Sequence, residues 1–564
     1  MSENEKTNYQ RLYTKEGRCL PAVPWARYPR PQMKRKDWLC LNGDWELRFG
    51  ATETRVRVPF CPESLLSGVE IPPAVGEAML YRRTFAVPES WSGKRVLLHF
   101  GAVGREAVVC VNSREVCRHE NGYLPFSADV TDALCAGENE LTVAVTNDLS
   151  PRFPLGKQSK KRGGMWYTPC SGIWQTVWLE PVPERYIRAL HLRCGKDCCE
   201  LEAEGVSSGL VTLDGRTYPL RDGKARIKPE SVQRWSPEDP YLYHFTLESG
   251  EDAVESYFAL RSFEVKEING VKRLCLNGKP YFFNALLDQG YWSDGLYTPA
   301  IPELYGKDIL AMKQLGFNTL RKHIKLEPEQ FYYDCDRLGM LVFQDMVNNG
   351  VYRFLRDTIL PTLHIGSLSD RRLNSDPDTR RNFLDAMEQT AAALGNHPCI
   401  CLWTIFNEGW GQFCADEAYD RLKALDPERF IDATSGWFHQ QRSDVDSLHI
   451  YFGRLHLGSQ PLPQLLSEFG GYVWKDPAHS FNLRGTYGYR IYPTREKLVE
   501  ALRRLYGQTL PPLVKKGLCG AVYTQVSDVE DETNGLFTFD REVLKVKPEE
   551  LRDLADALQK VVQG

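Results

Sequence analysis

Two acids that close apolar runs are the residues of this sequence best placed to do chemistry. Glu408 follows Cys399-Ile400-Cys401-Leu402-Trp403-Thr404-Ile405-Phe406-Asn407, and Glu468 follows Gln464-Leu465-Leu466-Ser467. An apolar run without alternation reads as a strand buried on both faces, as in a parallel sheet. In a (β/α)8 barrel, polar residues at the C-terminal ends of such strands line the site. A carboxylic acid that protonates a leaving oxygen, paired with a carboxylate that attacks the neighbouring carbon, is the equipment that breaks a glycosidic bond. Alone, Glu408 reads equally well as a loop residue or as the cap of a helix beginning near Asp416; a second acid at another strand end decides between these. A gap of about 5–5.5 Å between the two carboxyl groups implies a covalent glycosyl-enzyme and retained configuration, whereas about 6.5–9.5 Å leaves room for an attacking water.

Bringing two acids to one mouth requires the strand–helix grammar that begins near Phe263. Strands are expected at 280–288, 317–323, 340–345, the run into Asn407, 429–435, 447–451, 464–469 and 520–525. Helical spacing falls at 303–315, 327–338, 379–394, 495–515 and 548–561, the first two ended by Gly316 and Gly339. Eight strands alternating with helices over about 300 residues match one (β/α)8 barrel. The count puts Glu408 after the fourth strand and Glu468 after the seventh. Other strand ends carry Asp288, Arg321, His323, Asp345, Trp437, His449, Tyr451, Gln525 and Asp528. Each has a plainer alternative as a structural hydrogen-bonding or core residue, and buried ion pairing suits Arg321 and Asp345 as well as sugar contact does. Trp437, Tyr451 and Trp410 have faces on which a sugar ring can stack, although large aromatics more often pack in a core or rim.

Before the barrel the pattern is all β. Residues 38–179 alternate in short strands separated by turn residues such as Asn42-Gly43, Asn112-Ser113 and Asn121-Gly122. Many short strands with regular turns predict a jelly-roll β-sandwich over 1–183, bounded by Pro181-Val182-Pro183. A smaller run of strands predicts an immunoglobulin-like β-sandwich over 184–263, which leaves 264–564 for the barrel.

The chain has 564 residues, with 70 basic and 74 acidic side chains and a net charge of −4. That length calls for several cores, and the balanced charge, without basic blocks, argues against nucleic acid as a partner. No window approaches eighteen consecutive apolar residues, so no membrane span is expected. The polar start Met1-Ser2-Glu3-Asn4-Glu5-Lys6 lacks a signal-peptide core, which makes the cytoplasm the expected compartment. The sixteen cysteines are scattered and read as free thiols; Cys194, Cys198 and Cys199 lack paired zinc-ligand spacing. Two carboxylates need neither metal nor cofactor. The oligomeric state is open, and a homo-oligomer is compatible with the sequence.

The run Leu402-Trp403-Thr404-Ile405-Phe406-Asn407-Glu408 resembles the acid/base signature of glycoside hydrolase family 2, which includes β-galactosidases, β-glucuronidases and β-mannosidases. Leu466-Ser467-Glu468-Phe469-Gly470 is similar to that family's nucleophile segment. Leu276-Asn277-Gly278-Lys279-Pro280, the stretch from Met312 to Arg321, Gly395-Asn396-His397-Pro398 and the stretch from Ser171 to Val177 extend the resemblance over nearly the whole chain. It implies that Glu408 is the general acid/base, Glu468 the nucleophile and Asn407 the partner of the sugar 2-hydroxyl. It also implies hydroxyl-binding roles for Asp288 and His323. Trp166, just ahead of the Ser171 stretch, is a candidate to reach the pocket from the first domain. The chain departs from many relatives at Arg321-Lys322-His323-Ile324-Lys325, where they carry His-Tyr-Pro. Where the family's glucuronidases place Asn-x-Lys for the sugar carboxylate, this chain has Glu530-Asp531-Glu532-Thr533-Asn534. Acids there disfavour a uronide and favour a neutral β-sugar, galactoside first, with β-glucuronide as the alternative; a glycan-binding protein without catalysis is the reading from another class.

Overall fold

The strict alternation of apolar and charged residues in Gly43–Phe49 buries Trp45, Leu47 and Phe49 and turns Asp44, Glu46 and Arg48 to solvent, as a half-buried strand requires. The same pattern repeats through the first unit of the computed structural model, which describes residues 8–360 and 369–563. Its six-stranded antiparallel sheet runs in the order Thr52–Val58, Gly43–Phe49, Met79–Ala86, Glu138–Thr146, Glu106–Val111 and Arg114–Glu120. A four-stranded sheet, Leu39–Cys40, Val177–Val182, Arg95–Phe100 and Phe126–Asp129, packs against it. Trp45, Tyr81, Leu98, Val109, Val143 and Leu179 form the core between them.

Seven further antiparallel strands between Ala189 and Phe258 enclose a separate core that includes Leu192, Leu201, Val211, Phe245 and Phe258. Arg221↔Lys224 is the single register pair joining Arg216–Arg221 to Lys224–Ile227.

The third unit is an eight-stranded parallel sheet of strands buried along nearly their whole length. We label them β1 (Phe283–Asp288), β2 (Thr319–Lys322), β3 (Leu341–Asp345), β4 (Ile400–Asn407), β5 (Phe430–Ser435), β6 (Asp446–Ile450), β7 (Gln464–Gly470) and β8 (Leu518–Thr524). Their order is β5-β4-β3-β2-β1-β8-β7-β6. Between the two ends of that order, Ser447 on β6 donates from Oγ to Asp432 on β5 at 2.9 Å. The helices are α1 (Glu303–Gln314), α2 (Glu329–Leu338), α3 (Pro377–Leu394), α4 (Ala415–Leu425), α5 (Arg495–Arg504), α6 (Leu510–Lys516) and α7 (Pro548–Gln563). α3 starts at an Asp376 cap whose carboxylate accepts from Thr379 N–H at 3.0 Å, with Pro377 in the first turn.

Two expectations are corrected. Strict strand–helix alternation fails between β5 and β6 and between β6 and β7, where the chain crosses without a helix. Those links are short, and Pro461 and Pro463 interrupt the second. The single helix expected over 495–515 is two helices joined by a wider turn at Leu505–Thr509, because Pro511 and Pro512 cannot donate to the preceding turn.

Candidate active site

The end of β4 turns sharply. Glu408 takes a left-handed φ of 54° and Gly409 a φ of 70°, and a side chain at Gly409 would lie 2.4 Å from the Phe438 ring. Glu408 N–H donates to Ser435 O on β5 at 2.9 Å. With its backbone fixed this way, Glu408 brings Oε1 to 2.8 Å from His449 Nδ1 on β6. Arg321 Nη1, which can only donate, lies 3.4 Å from His449 Nε2. That contact favours the lone pair at Nε2 and the proton at Nδ1, facing Glu408.

Glu468 lies on β7, opposite His449 in register. Its Oε1 accepts from Arg321 Nη1 at 3.1 Å and its Oε2 from the Tyr451 hydroxyl at 2.5 Å. His449 Nδ1 is 3.6 Å from the same Oε2. Single ligand atoms of Glu408, His449 and Glu468 all lie within 4.8 Å of one another, so the two acids converge on His449 Nδ1. Burial opposes a charge on Glu468, but His449, His323, Arg321 and Lys157 outweigh it and hold the carboxyl below the ordinary glutamate range. Of these, Arg321 carries its charge at every working pH, since its pKa is raised despite burial by Asp345 and Glu468. Burial, reinforced by Lys157, drives His323 down to about 4, so that imidazole is neutral near pH 7.

Arg321 organises the floor of the site. From β2 it donates to Asp345 Oδ1 at 3.0 Å, Ser467 O at 2.9 Å, Glu468 at 3.1 Å and Asn407 Oδ1 at 2.8 Å. It thereby fixes the Asn407 amide oxygen and leaves the amide NH2 as the group able to donate to a ligand. His323 Nδ1 sits 2.7 Å from Asp345 Oδ2, with Nε2 3.9 Å from Glu468 Oε1. Asp345 is lowered in pKa because Arg321 and His323 outweigh its burial. Tyr451 also meets Thr524 Oγ1 at 3.0 Å and stacks flat on Tyr489 at 3.5 Å. Trp437 stands edge-on to His449 at 5.4 Å.

Two of the expected site residues lie elsewhere. Asp288 pairs with Lys322 Nζ at 2.6 Å and belongs to a buried cluster with Glu327 and Lys325. Arg321 points into the barrel, so its chain neighbour Lys322, and Asp288 opposite it in register, face the other side of the sheet. Asp528 is bound by Lys545 Nζ at 2.6 and 2.8 Å, and burial raises its pKa to about 6. Gln525 holds Asn534 Oδ1 at 2.8 Å, and Asn534 donates to Glu532 at 3.1 Å.

The first sandwich contributes more than the Trp166 that the sequence offered. Trp166 does arrive at the end of β4, edge-on to Trp410 at 5.2 Å and to Tyr352 at 5.1 Å. Tyr167 OH donates to Glu532, and Thr168 N–H donates to Glu530 at 3.0 Å. Burial raises the pKa of both acids, against the pull of Lys157 on Glu532 and of Thr168 and Arg162 on Glu530. Acids read from the sequence as a repelling surface are thus buried and hydrogen-bonded. Lys157, half-buried on the same loop, had no sequence signal because only tertiary placement brings it here.

Residues 34–183 match the family model described as glycosyl hydrolases family 2, sugar binding domain, and residues 268–465 match the model described as the TIM barrel domain of the same family. The chain belongs to glycoside hydrolase family 2. Among curated relatives of this family member, a β-galactosidase of Aeromonas hydrophila is 29% identical over 430 residues, 69% of this chain and 39% of that enzyme. A β-glucuronidase of Felis catus is 24% identical over 478 residues, 71% of this chain and 69% of that enzyme. The chain therefore spans well under half the length of the first of these relatives. Among solved structures, a β-glucuronidase from an uncultured Clostridium sp. superposes with a TM-score of 0.74 at 20% identity, covering 94% of this chain and 99% of that one. A galacturonate-bound β-galacturonidase from Eisenbergiella tayi superposes with a TM-score of 0.69 at 20% identity, with coverage of 94% and 99%. These likenesses establish the shared fold. No described helix is long and apolar enough to cross a membrane.

Proposed function

We propose that the protein is a retaining exo-β-glycosidase that removes a terminal neutral sugar, β-galactoside first. The observation that carries this reading is the convergence of Glu408 and Glu468 on His449 Nδ1, with oxygens inside 4.8 Å, a spacing that suits direct attack better than an interposed water. Glu468, held as a carboxylate by Arg321 and Tyr451, attacks the anomeric carbon while Glu408 gives its proton to the leaving oxygen. A glycosyl ester forms on Glu468. Glu408, now ionised, then takes a proton from water, which attacks the same carbon and frees Glu468. Asn407, oriented by Arg321, donates to the sugar 2-hydroxyl, and neutral His323 offers Nε2 as an acceptor for another hydroxyl.

Glu532, buried and hydrogen-bonded by Tyr167 and Asn534, offers a sugar carboxylate no counter-charge, which supports a neutral glycone. A uronide is the second reading, favoured by the ammonium of Lys157 near the same groups. A panel of p-nitrophenyl β-glycosides tests both. Turnover of the galactoside, lost in Glu408→Gln and Glu468→Gln, is the expected outcome. A preference for the glucuronide or galacturonide would replace the neutral sugar, and unchanged turnover in both variants would end the catalytic assignment.

A further inference from the structure

The catalytic pair belongs to the barrel, yet part of the wall around it is finished by the first sandwich. Residues 147–171 leave the strand Glu138–Thr146 and run across the barrel's loops before the chain re-enters the sandwich at Gly172–Ile173. Gly350 N–H donates to Pro151 O at 2.6 Å, while Leu155 and Gly156 N–H groups donate to Asn348 O at 2.9 and 3.2 Å. Gly156 has a φ of 64°, and a Cβ there would come within 3.0 Å of Ile324 O, the residue after His323. On the other side, Tyr167 N–H donates to Lys157 O at 3.0 Å, and the Tyr167 hydroxyl reaches Glu532.

Lys157 therefore leaves the backbone between two fixed points, one packed beside His323 and the other bound to Glu532. The residue is half-buried, and its ammonium makes no hydrogen bond or ion pair among the described residues. The groups that sense its charge come from three places: Glu468 on β7, His323 just after β2 and Glu532 in the loop after β8. An ammonium with no such partner keeps its three donors free for a ligand oxygen.

We propose that Lys157 is a substrate-recognition residue whose ammonium donates to an oxygen of the sugar held at Glu468, so that the first sandwich completes the subsite the barrel begins. This rests on the glycosidase reading above. The acceptor is a hydroxyl of a neutral hexose or the carboxylate of a uronic acid, both of which take a hydrogen bond from an ammonium. The competing role is a remote counter-charge for Glu468.

The test is steady-state kinetics of wild type, Lys157→Met and Lys157→Arg on p-nitrophenyl β-galactoside, β-glucoside, β-glucuronide and β-galacturonide, with melting temperatures and pH profiles. Lys157→Met is expected to lower kcat/KM by about 10- to 100-fold on the accepted sugar, the effect of losing a charged hydrogen-bond donor. KM carries at least part of that loss, the melting temperature holds and Lys157→Arg recovers part of the activity. A loss confined to the uronides identifies the carboxylate, and a loss on the neutral glycosides identifies the hydroxyl. Unchanged kcat/KM, or a change seen only as an upward shift of the acid limb with KM unaltered, would overturn the proposal while leaving the glycosidase reading intact. If wild type turns over none of the four, the glycosidase reading falls and the inference falls with it.

Discussion

Arg321 is the residue on which both acids depend, since it binds Glu468 directly and Asn407, the neighbour of Glu408, through the same guanidinium. With His323 neutral, it is the permanent positive charge touching Glu468. Arg321→Lys keeps a charge but loses the fork, so we expect reduced kcat with the acid limb of the kcat/KM profile little moved. Arg321→Met is expected to raise that limb by about one pH unit or more, because a carboxyl whose pKa is lowered in the folded state loses the charge that lowered it. The wild-type limb should lie below the ordinary glutamate value of about 4.3. By the same linkage, Glu468 and Asp345 contribute stability above the ordinary carboxylate range, and it is lost as pH falls through their lowered folded values. At this scale residue type and strand end grouped Glu408, Glu468, Asn407 and Arg321 in the sequence, and the structure brings these side chains together. The sequence misled at Asp288, where strand-end position was read without side-chain parity. Lys322, one residue after Arg321, had to face the other way, and Asp288 follows it in the register.

The turn after β4 and the loop from the first sandwich are the two elements that set the site's geometry. Gly409 combines a φ of 70° with a Phe438 ring 2.4 Å from any added Cβ. Gly409→Ala is expected to displace Glu408 and lower kcat by about 100-fold, the usual cost of a misplacement near 1 Å, measured on any accepted nitrophenyl glycoside. Tyr167→Phe removes the hydroxyl bound to Glu532 and loosens the loop against the barrel. We expect it to raise KM while leaving the His323–Asp345–Arg321 floor, and hence the acid limb, in place. An acid limb that moves with Tyr167→Phe would mean that the loop does more than hold the sugar. The continuous apolar runs of β3, β4 and β7 made their strands readable, and the Gly316 and Gly339 stops marked two helices. The missing helices around β6 were less readable, because an eight-strand count encourages regular alternation that short, proline-bearing links cannot supply.

Across the whole molecule, buried charges stitch the three units together. Arg35, 5% exposed, donates to Asp252 at 3.0 and 2.9 Å in the second unit and to fully buried Glu180 at 3.1 Å in the first. Tyr257 of the second unit donates to Asp336 of the barrel at 2.7 Å, and His397 meets the same carboxylate at 2.7 Å. Arg35→Met should lower unfolding stability by about 3–5 kcal/mol, because Asp252 is left buried without its cation while Glu180 keeps Arg30; denaturant titration checks this. The succession of two all-β units and a barrel was visible in the change from alternating to strand–helix patterns. The crossing of residues 147–171 from one unit toward the site of another was legible only at Trp166, since a loop's sequence does not say which surface it covers. The central claim, that Glu468 attacks and Glu408 handles the proton, is tested most directly by azide rescue of Glu468→Gly and Glu408→Gly on an activated β-glycoside. Azide replacing the missing nucleophile should yield the α-glycosyl azide from Glu468→Gly, and azide attacking the glycosyl-enzyme should yield the β-glycosyl azide from Glu408→Gly. The opposite pairing of products, or no azide product from either variant, would contradict it.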